Sequence, residues 1–201
     1  MTEEFHTSFL DRVASPAPTP AGGAAAALAG ALSAALVAMA CRVTARRDPS
    51  SAELEQVEEE AEALRARLTA LVQEDGDAYT AVIQARRAAD AERPQAVSRA
   101  LVRATEIPVE IARGASRVLA LCDRLVPAAR ASTVSDLGVA VSLAAGALEG
   151  ATLTARVNVR DLDDPALASQ TRAALAALVE EASVVRHRVT EIIAARTGVP
   201  A

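Results

Sequence analysis

Asp75 is the residue whose type least fits its position. It lies in the segment Asp75-Gly76-Asp77-Ala78-Tyr79. The preceding stretch puts Leu54, Val57, Ala61, Leu64, Leu68 and Leu71 at three- and four-residue spacings, and Ala78 and Val82 continue the series. That period marks one face of a long helix. Asp75 occupies a position where the face calls for an apolar group, and Tyr79 follows one turn later on the same side. A buried carboxylate without a partner is expensive, so it either finds a donor or borders a wet pocket. Gly76 beside it permits a close backbone approach or a bend. The alternative is a helix that drifts outward and exposes both Asp75 and Asp77. His6 and His187 have neither metal-ligand spacing nor a catalytic context. Cys41 and Cys122 lie in apolar helical stretches and read as small core residues rather than a disulfide.

The elements that must position these groups are helical throughout. A short amphipathic helix spans about Glu3–Val13, with Phe5, Phe9 and Leu10 on its apolar side, and Ser15–Gly23 is a Pro/Thr/Gly loop. A nearly uncharged helix follows to about Ala45. Ser50 and Glu53 have the spacing of a capping box for the third helix. A break near Asp90–Pro94 precedes a fourth helix, with Pro94 in its first turn. That helix presents Val97, Leu101, Ala104, Pro108, Ile111, Ala115, Val118, Cys122 and Leu125 to the core. Arg99, Arg103, Glu106, Glu110, Arg113 and Arg117 form its opposite face, spaced to pair along the surface. Pro108 cannot donate a backbone hydrogen bond and predicts a kink. Val126–Thr133 is a connection, Val134–Arg156 a fifth helix rich in small residues, and Asp164-Pro165 opens a sixth that ends at Gly198 and Pro200.

The expected fold is therefore all-α: one domain over residues 1–201, a bundle of about six helices including long antiparallel ones. The composition agrees. The 201 residues include only three aromatics, Phe5, Phe9 and Tyr79, so the core must rest on Leu, Val, Ile and close Ala contacts. The helices near Gly22–Ala45 and Val134–Arg156 have no broad polar face, and each must be surrounded, which predicts a homodimer. A net charge of -5, with all 21 basic residues arginine, argues against nucleic acid as a partner. Val13–Cys41 is uncharged and long enough to raise a membrane span. Its Ala and Gly content and the break at Pro16, Pro18 and Pro20 favour a buried helix and no membrane partner. The acidic start at Glu3 and Glu4 lacks the basic region of a signal peptide.

Five segments in order carry a resemblance: Thr19-Pro20-Ala21-Gly22-Gly23-Ala24; Asp75 to Tyr79; Arg99 through Ile107-Pro108; Ser135-Asp136-Leu137-Gly138-Val139-Ala140; and Leu148-Glu149-Gly150-Ala151 to Val157-Asn158. Together they resemble the formiminotetrahydrofolate cyclodeaminase and methenyltetrahydrofolate cyclohydrolase family, over about Phe9 to Asp164. The departures are Ala21 and Ala24 in the glycine run, Ala88-Ala89-Asp90 near the family's Leu-Pro-Lys, Ala129-Arg130 at its Gly-Asn and Thr154-Ala155 at its Asn-Val. The resemblance implies a cytoplasmic one-carbon enzyme acting on a small-molecule folate, with no metal or redox cofactor. Cyclodeamination and cyclohydrolysis both pass through a tetrahedral carbon beside positive charge, and both need a carboxylate and orienting donors.

By that resemblance Asp75 and Asp136 are the catalytic pair, expected in one pocket, possible also across a dimer interface. Gly22 and Gly23 offer backbone N–H groups to the substrate, Tyr79 packs on the pterin or donates to it, Asn158 reads its polar edge and Arg99 takes the glutamate tail. Each has a structural alternative. Asp136 with Thr133 has the spacing of a helix start. Gly22 and Gly23 could be a loop-to-helix joint, Arg99 a surface ion pair, and Asn158 a cap on the connection before the last helix. Three classes stay open: a folate enzyme, a non-catalytic helical dimer of the same fold acting as a binding or accessory protein, and a membrane-associated helical protein.

Overall fold

Residues 3–89 and 91–199 are described by a computed structural model, with side chains from residue 8 onward. Phe5, His6 and Asp90 therefore lie outside the described side chains. Six α-helices are present among the described residues: α1 (Glu3–Ala14), α2 (Gly22–Ala45), α3 (Ala52–Ala85), α4 (Arg93–Leu125), α5 (Val134–Val159) and α6 (Pro165–Thr197), with a 3₁₀ turn at Ala131–Thr133.

Local signals account for the helix ends. The cap of α3 sits one residue later than expected: the Ser51 side chain accepts from the Leu54 N–H at 3.4 Å, while Ser50 donates to Asp48. Two adjacent serines offer the same chemistry, and the one whose backbone is extended takes the role. Asp164 accepts from the N–H groups of Ala166 and Leu167, and Gly198 ends α6 in the left-handed region at φ 72°. Helix α4 runs unbroken through Pro108. Phe9 of α1 is half-buried and Leu10 is exposed, so the apolar side expected for that helix is only partly used.

Short connections force neighbouring helices to run antiparallel. The pairings confirm it: Gly30 against Leu68 for α2 and α3, Arg67 against Glu110 for α3 and α4, and Ser33 against the Ala140 carbonyl for α5 and α2. Helices α2 to α5 thus make an up-down-up-down bundle, and α6 packs on α4 and α5. The expected inward stripe of α3 is buried at Leu54, Val57, Ala61, Leu68, Leu71, Ala78 and Val82. Leu68 shows how a core almost without rings closes. It is 1% exposed, and its methyl carbons lie 3.2 Å from where a Cβ on Gly30 would stand and 2.9 Å from where one on Gly114 would stand. One leucine fills gaps in two helix backbones.

The charged face of α4 pairs along itself at Arg103 and Glu106, 3.5 Å apart, and otherwise across to α3. Arg103 reaches Glu74, Arg117 reaches Glu60, and Arg67 bridges Glu110 and Glu74. Cys41 and Cys122 are free and buried, and burial pushes their thiols up to about 11 and about 12. Helix α2 and the segment Ala131–Val159 are long and apolar enough to cross a membrane by length and composition. More than half of the most apolar window of α2 is buried inside the bundle, which gives its apolarity a structural use.

The Thr152 hydroxyl is the exception in the core. Thr152 is 3% exposed and its Oγ1 has no partner among the described residues. Thr152→Val keeps the branched shape and removes that oxygen. It should stabilise the fold by about 1 kcal/mol, the scale of an unsatisfied buried hydroxyl. Urea unfolding checks this, and a lower midpoint would show that the hydroxyl is satisfied.

Candidate functional site

One end of the bundle collects the start of α2, the later part of α3, the early part of α4 and the end of α5. A cavity of about 240 Å³ opens there, lined by Thr19, Gly22, Gly23, Asp75, Tyr79, Ala104, Thr154 and Asn158, among others. Asp75, Tyr79, Gly22, Gly23 and Asn158 are therefore brought together around one cavity.

Asp75 is half-buried, not exposed, whereas Asp77 points outward. Its partner is the beginning of α2. The N-cap residue of that helix, Ala21, has no side chain able to accept a hydrogen bond. The first N–H groups of a helix need acceptors from elsewhere. The Ala24 N–H donates to the Asp75 carboxylate, so α3 supplies the cap that α2 lacks. Burial raises the Asp75 pKa above the ordinary aspartate value, and the Ala24 hydrogen bond offsets only part of that rise. The carboxylate is thus anchored on one side, open to the cavity on the other, and easier to protonate than a surface aspartate.

Gly23 is what lets the two helices meet. A Cβ there would stand 2.7 Å from Asp75 Oδ2 and closer still to Oδ1. Gly22 has open space around it. Gly76 is buried against Thr19 of the loop before α2, the close approach expected beside Asp75. Tyr79 stands at the rim, about half exposed.

Asn158 belongs to the last turn of α5, which runs three residues further than expected, and its carbonyl accepts from the Asp161 N–H of the following connection at 3.0 Å while its side chain turns to α4. Its Nδ2 donates to the Ala104 carbonyl of α4 at 2.7 Å. Ala104 and Thr154 also line the cavity, although the sequence marked Ala104 only as a core position and Thr154 only as a departure from the family pattern. Thr154 stands where the family pattern has asparagine, and that difference was the available signal.

Asp136 is elsewhere. It lies on the first turn of α5, at the opposite end of the bundle. Asn158 is 22 residues further along the same helix, or about 33 Å at 1.5 Å per residue. One chain therefore does not bring Asp75 and Asp136 into one pocket, and this corrects the expectation. The reason is topological. Asp75 comes late in α3, whereas α5 starts at the end where α3 begins. The capping box with Thr133 is also not formed, since the Thr133 hydroxyl donates to the Arg130 carbonyl. Arg99 is exposed on α4 and does not line the cavity, though it sits at the cavity end, five residues before Ala104.

The profile of the formiminotransferase-cyclodeaminase family matches residues 6–177. A methenyltetrahydrofolate cyclohydrolase of Methylorubrum extorquens is 36% identical over 200 residues, covering 95% of this chain and 96% of that protein. A formimidoyltransferase-cyclodeaminase of Rattus norvegicus is 27% identical over 87% of this chain, which spans 34% of the rat protein. The crystal structure of a formiminotetrahydrofolate cyclodeaminase from Thermotoga maritima superposes with a TM-score of 0.79 at 22% identity, covering 98% of this chain and 96% of that one. That likeness extends the shared bundle over nearly the whole chain. The matched residues 6–177 contain all four helices that form the cavity, and the chain belongs to the formiminotransferase-cyclodeaminase family.

Proposed function

We propose that this protein is a folate one-carbon enzyme and that its reaction is the hydrolysis of methenyltetrahydrofolate to the formyl form. The carrying observation is the Asp75 carboxylate, held by the Ala24 N–H and open to the cavity with its pKa raised. Hydrolysis is favoured over deamination because the match to a cyclohydrolase spans nearly the full length of both chains.

The methenyl carbon between N5 and N10 is an electrophilic cation. An ionised Asp75 lies where it could stabilise that charge and accept a proton as water adds. The protonated carboxyl can then return the proton to N5 as the carbon–N5 bond breaks, while the hydroxyl proton leaves to solvent, so the formyl group stays on N10 and one proton is released overall. A raised pKa suits both halves of that exchange. A cavity of about 240 Å³ is smaller than the roughly 300–1,000 Å³ usual for a whole ligand, so it suits the reacting end while the tail leaves over the rim. Tyr79 at the rim would pack on the ring system, and Arg99, exposed on α4 at the same end of the bundle, would take a departing glutamate tail. The chemistry asks for no cofactor, and the reading puts the reaction in the cytoplasm, with neither membrane nor nucleic acid as partner.

Purified protein should speed the loss of the methenyl chromophore above the buffer rate, and should bind 5-formyltetrahydrofolate more tightly than nucleotides. No acceleration with methenyl- or formiminotetrahydrofolate would overturn the enzyme reading in favour of a non-catalytic dimer.

The partner in this reading is a second copy. Helices α2 and α5 lie side by side and leave Leu32, Val139, Leu153 and Val157 exposed in one apolar face. A two-fold axis across the middle of that face would pair the Asp136 end of one chain with the Asp75 end of the other, keeping Asp136 a site residue. Sedimentation should show twice the chain mass, and a stable monomer would sink the dimer. Mixing Asp75→Asn and Asp136→Asn subunits gives a heterodimer with one intact site. Random reassortment should then restore about a quarter of wild-type turnover. No recovery, or normal turnover by Asp136→Asn alone, would remove Asp136 from the site.

A further inference from the structure

Pro108 and Asn158 come from different helices, yet they act on the same carbonyl. In an α-helix the N–H of each residue bonds the carbonyl four positions earlier. For position 108 that carbonyl belongs to Ala104. Proline has no N–H, and its ring pushes against the carbonyl four residues back. The Ala104 oxygen is therefore left without its helical donor, inside a helix that continues unbroken and with Pro108 buried. The Asn158 side chain of α5 meets it, with Nδ2 donating at 2.7 Å. Both Ala104 and Asn158 line the cavity.

This contact decides what Asn158 can offer. An amide side chain presents an acceptor oxygen and a donor nitrogen, and rotation by half a turn exchanges them. With the Ala104 oxygen in front of Nδ2, the flipped state would set two oxygens against each other. Asn158 Oδ1 accepts no hydrogen bond among the described residues, so an acceptor of fixed position is available to a ligand.

We propose that Pro108 is a positioning residue of the cavity: it withholds the N–H that would occupy the Ala104 carbonyl, and so dedicates that carbonyl to holding Asn158 in one amide orientation, with Oδ1 reserved for an N–H donor of the ligand. The identity of that ligand as a reduced folate, whose pterin edge carries such donors, rests on the function proposed above. Without the proline, the Ala104 carbonyl would turn back to the helix axis and take its backbone donor. Asn158 would then lose its fixed partner and sample both amide orientations.

The test uses the full chain with Pro108→Ala, Asn158→Ala and the double variant. Proline in a helix interior is unfavourable, so Pro108→Ala should melt no lower than wild type. The Asn158 side-chain amide protons, followed by NMR in the unliganded protein, should exchange faster in that variant. Titration with 5-formyltetrahydrofolate should show binding weakened roughly five- to tenfold, the scale of one hydrogen bond. The double variant should bind no worse than Asn158→Ala. Asn158→Asp, which faces the Ala104 oxygen with another acceptor, should weaken binding equally while leaving α4 untouched, and it serves if Pro108→Ala fails to fold. Unchanged exchange of the Asn158 amide in Pro108→Ala would overturn the proposal. So would a Pro108→Ala effect that persists undiminished in the Asn158→Ala background, or normal binding by Asn158→Asp. If wild type itself does not bind 5-formyltetrahydrofolate, the folate reading fails, and the amide exchange still decides whether Pro108 holds Asn158.

Discussion

Asp75→Asn should lower turnover by roughly a hundredfold or more, the scale of a lost general acid/base, while the protein melts at the same temperature or slightly higher. The two halves of that expectation have separate causes. Asparagine keeps an oxygen for the Ala24 N–H, so the start of α2 stays capped. It cannot carry a proton to or from substrate. Its effect on stability follows from the raised pKa of the native group. In the folded chain Asp75 holds its proton to higher pH than in the unfolded chain. Stability therefore falls as pH rises from the ordinary aspartate value to the raised folded value, and stays at the lower level above it. Replacing the carboxyl removes this loss, so any gain by Asp75→Asn should appear at neutral pH and vanish in acid. Thermal melts of both proteins across the acidic range, with turnover at neutral pH, check the pair of effects. A marked drop in melting temperature with turnover intact would make Asp75 a capping group and nothing more.

What could be read from the sequence depended on whether one helix or several had to be considered. The inward face of α3 follows from spacing alone, and Asp75 stands out because a charge at a core position needs an explanation. Tyr79 follows because it is one turn away. The partner of Asp75 did not follow. Nothing local says that the N–H of Ala24 lacks a cap, except that Ala21 has no side-chain acceptor. A pocket shared by Asp75 and Asp136 within one chain failed on topology, and counting could have caught it. With short loops α5 starts where α3 starts, and a residue late in one helix cannot meet a residue early in the other. Asn158 was placed in a connection because the apolar pattern of α5 weakens near Arg156. The cue to its role lay in α4, where Pro108 left a carbonyl without a donor. A contact made because another residue lacks an N–H shows only when both helices are seen together.

Gly23→Ala and Gly22→Ala should behave oppositely, although the residues are adjacent on the first turn of α2. At Gly22 a methyl group meets nothing within 4 Å. Alanine is a better helix former there, so turnover should hold and stability should rise by a few tenths of a kcal/mol. At Gly23 the methyl would overlap the Asp75 carboxyl group. The overlap is with the end of a side chain, not with backbone, so the carboxylate can swing away and the bundle can still close. That swing breaks the hydrogen bond to Ala24 and moves the one cavity carboxylate out of place. Turnover should fall about as far as in Asp75→Asn, roughly a hundredfold. The stability change should be small: the helix gains an alanine while its start loses a cap worth about 1 kcal/mol. Adding Gly23→Ala to Asp75→Asn should then cost almost no further turnover, since both act on one group. Parallel kinetics and melting curves for the two glycine variants and the double variant check this. Equal turnover in Gly22→Ala and Gly23→Ala would mean that the carboxylate does not need the place α2 leaves for it.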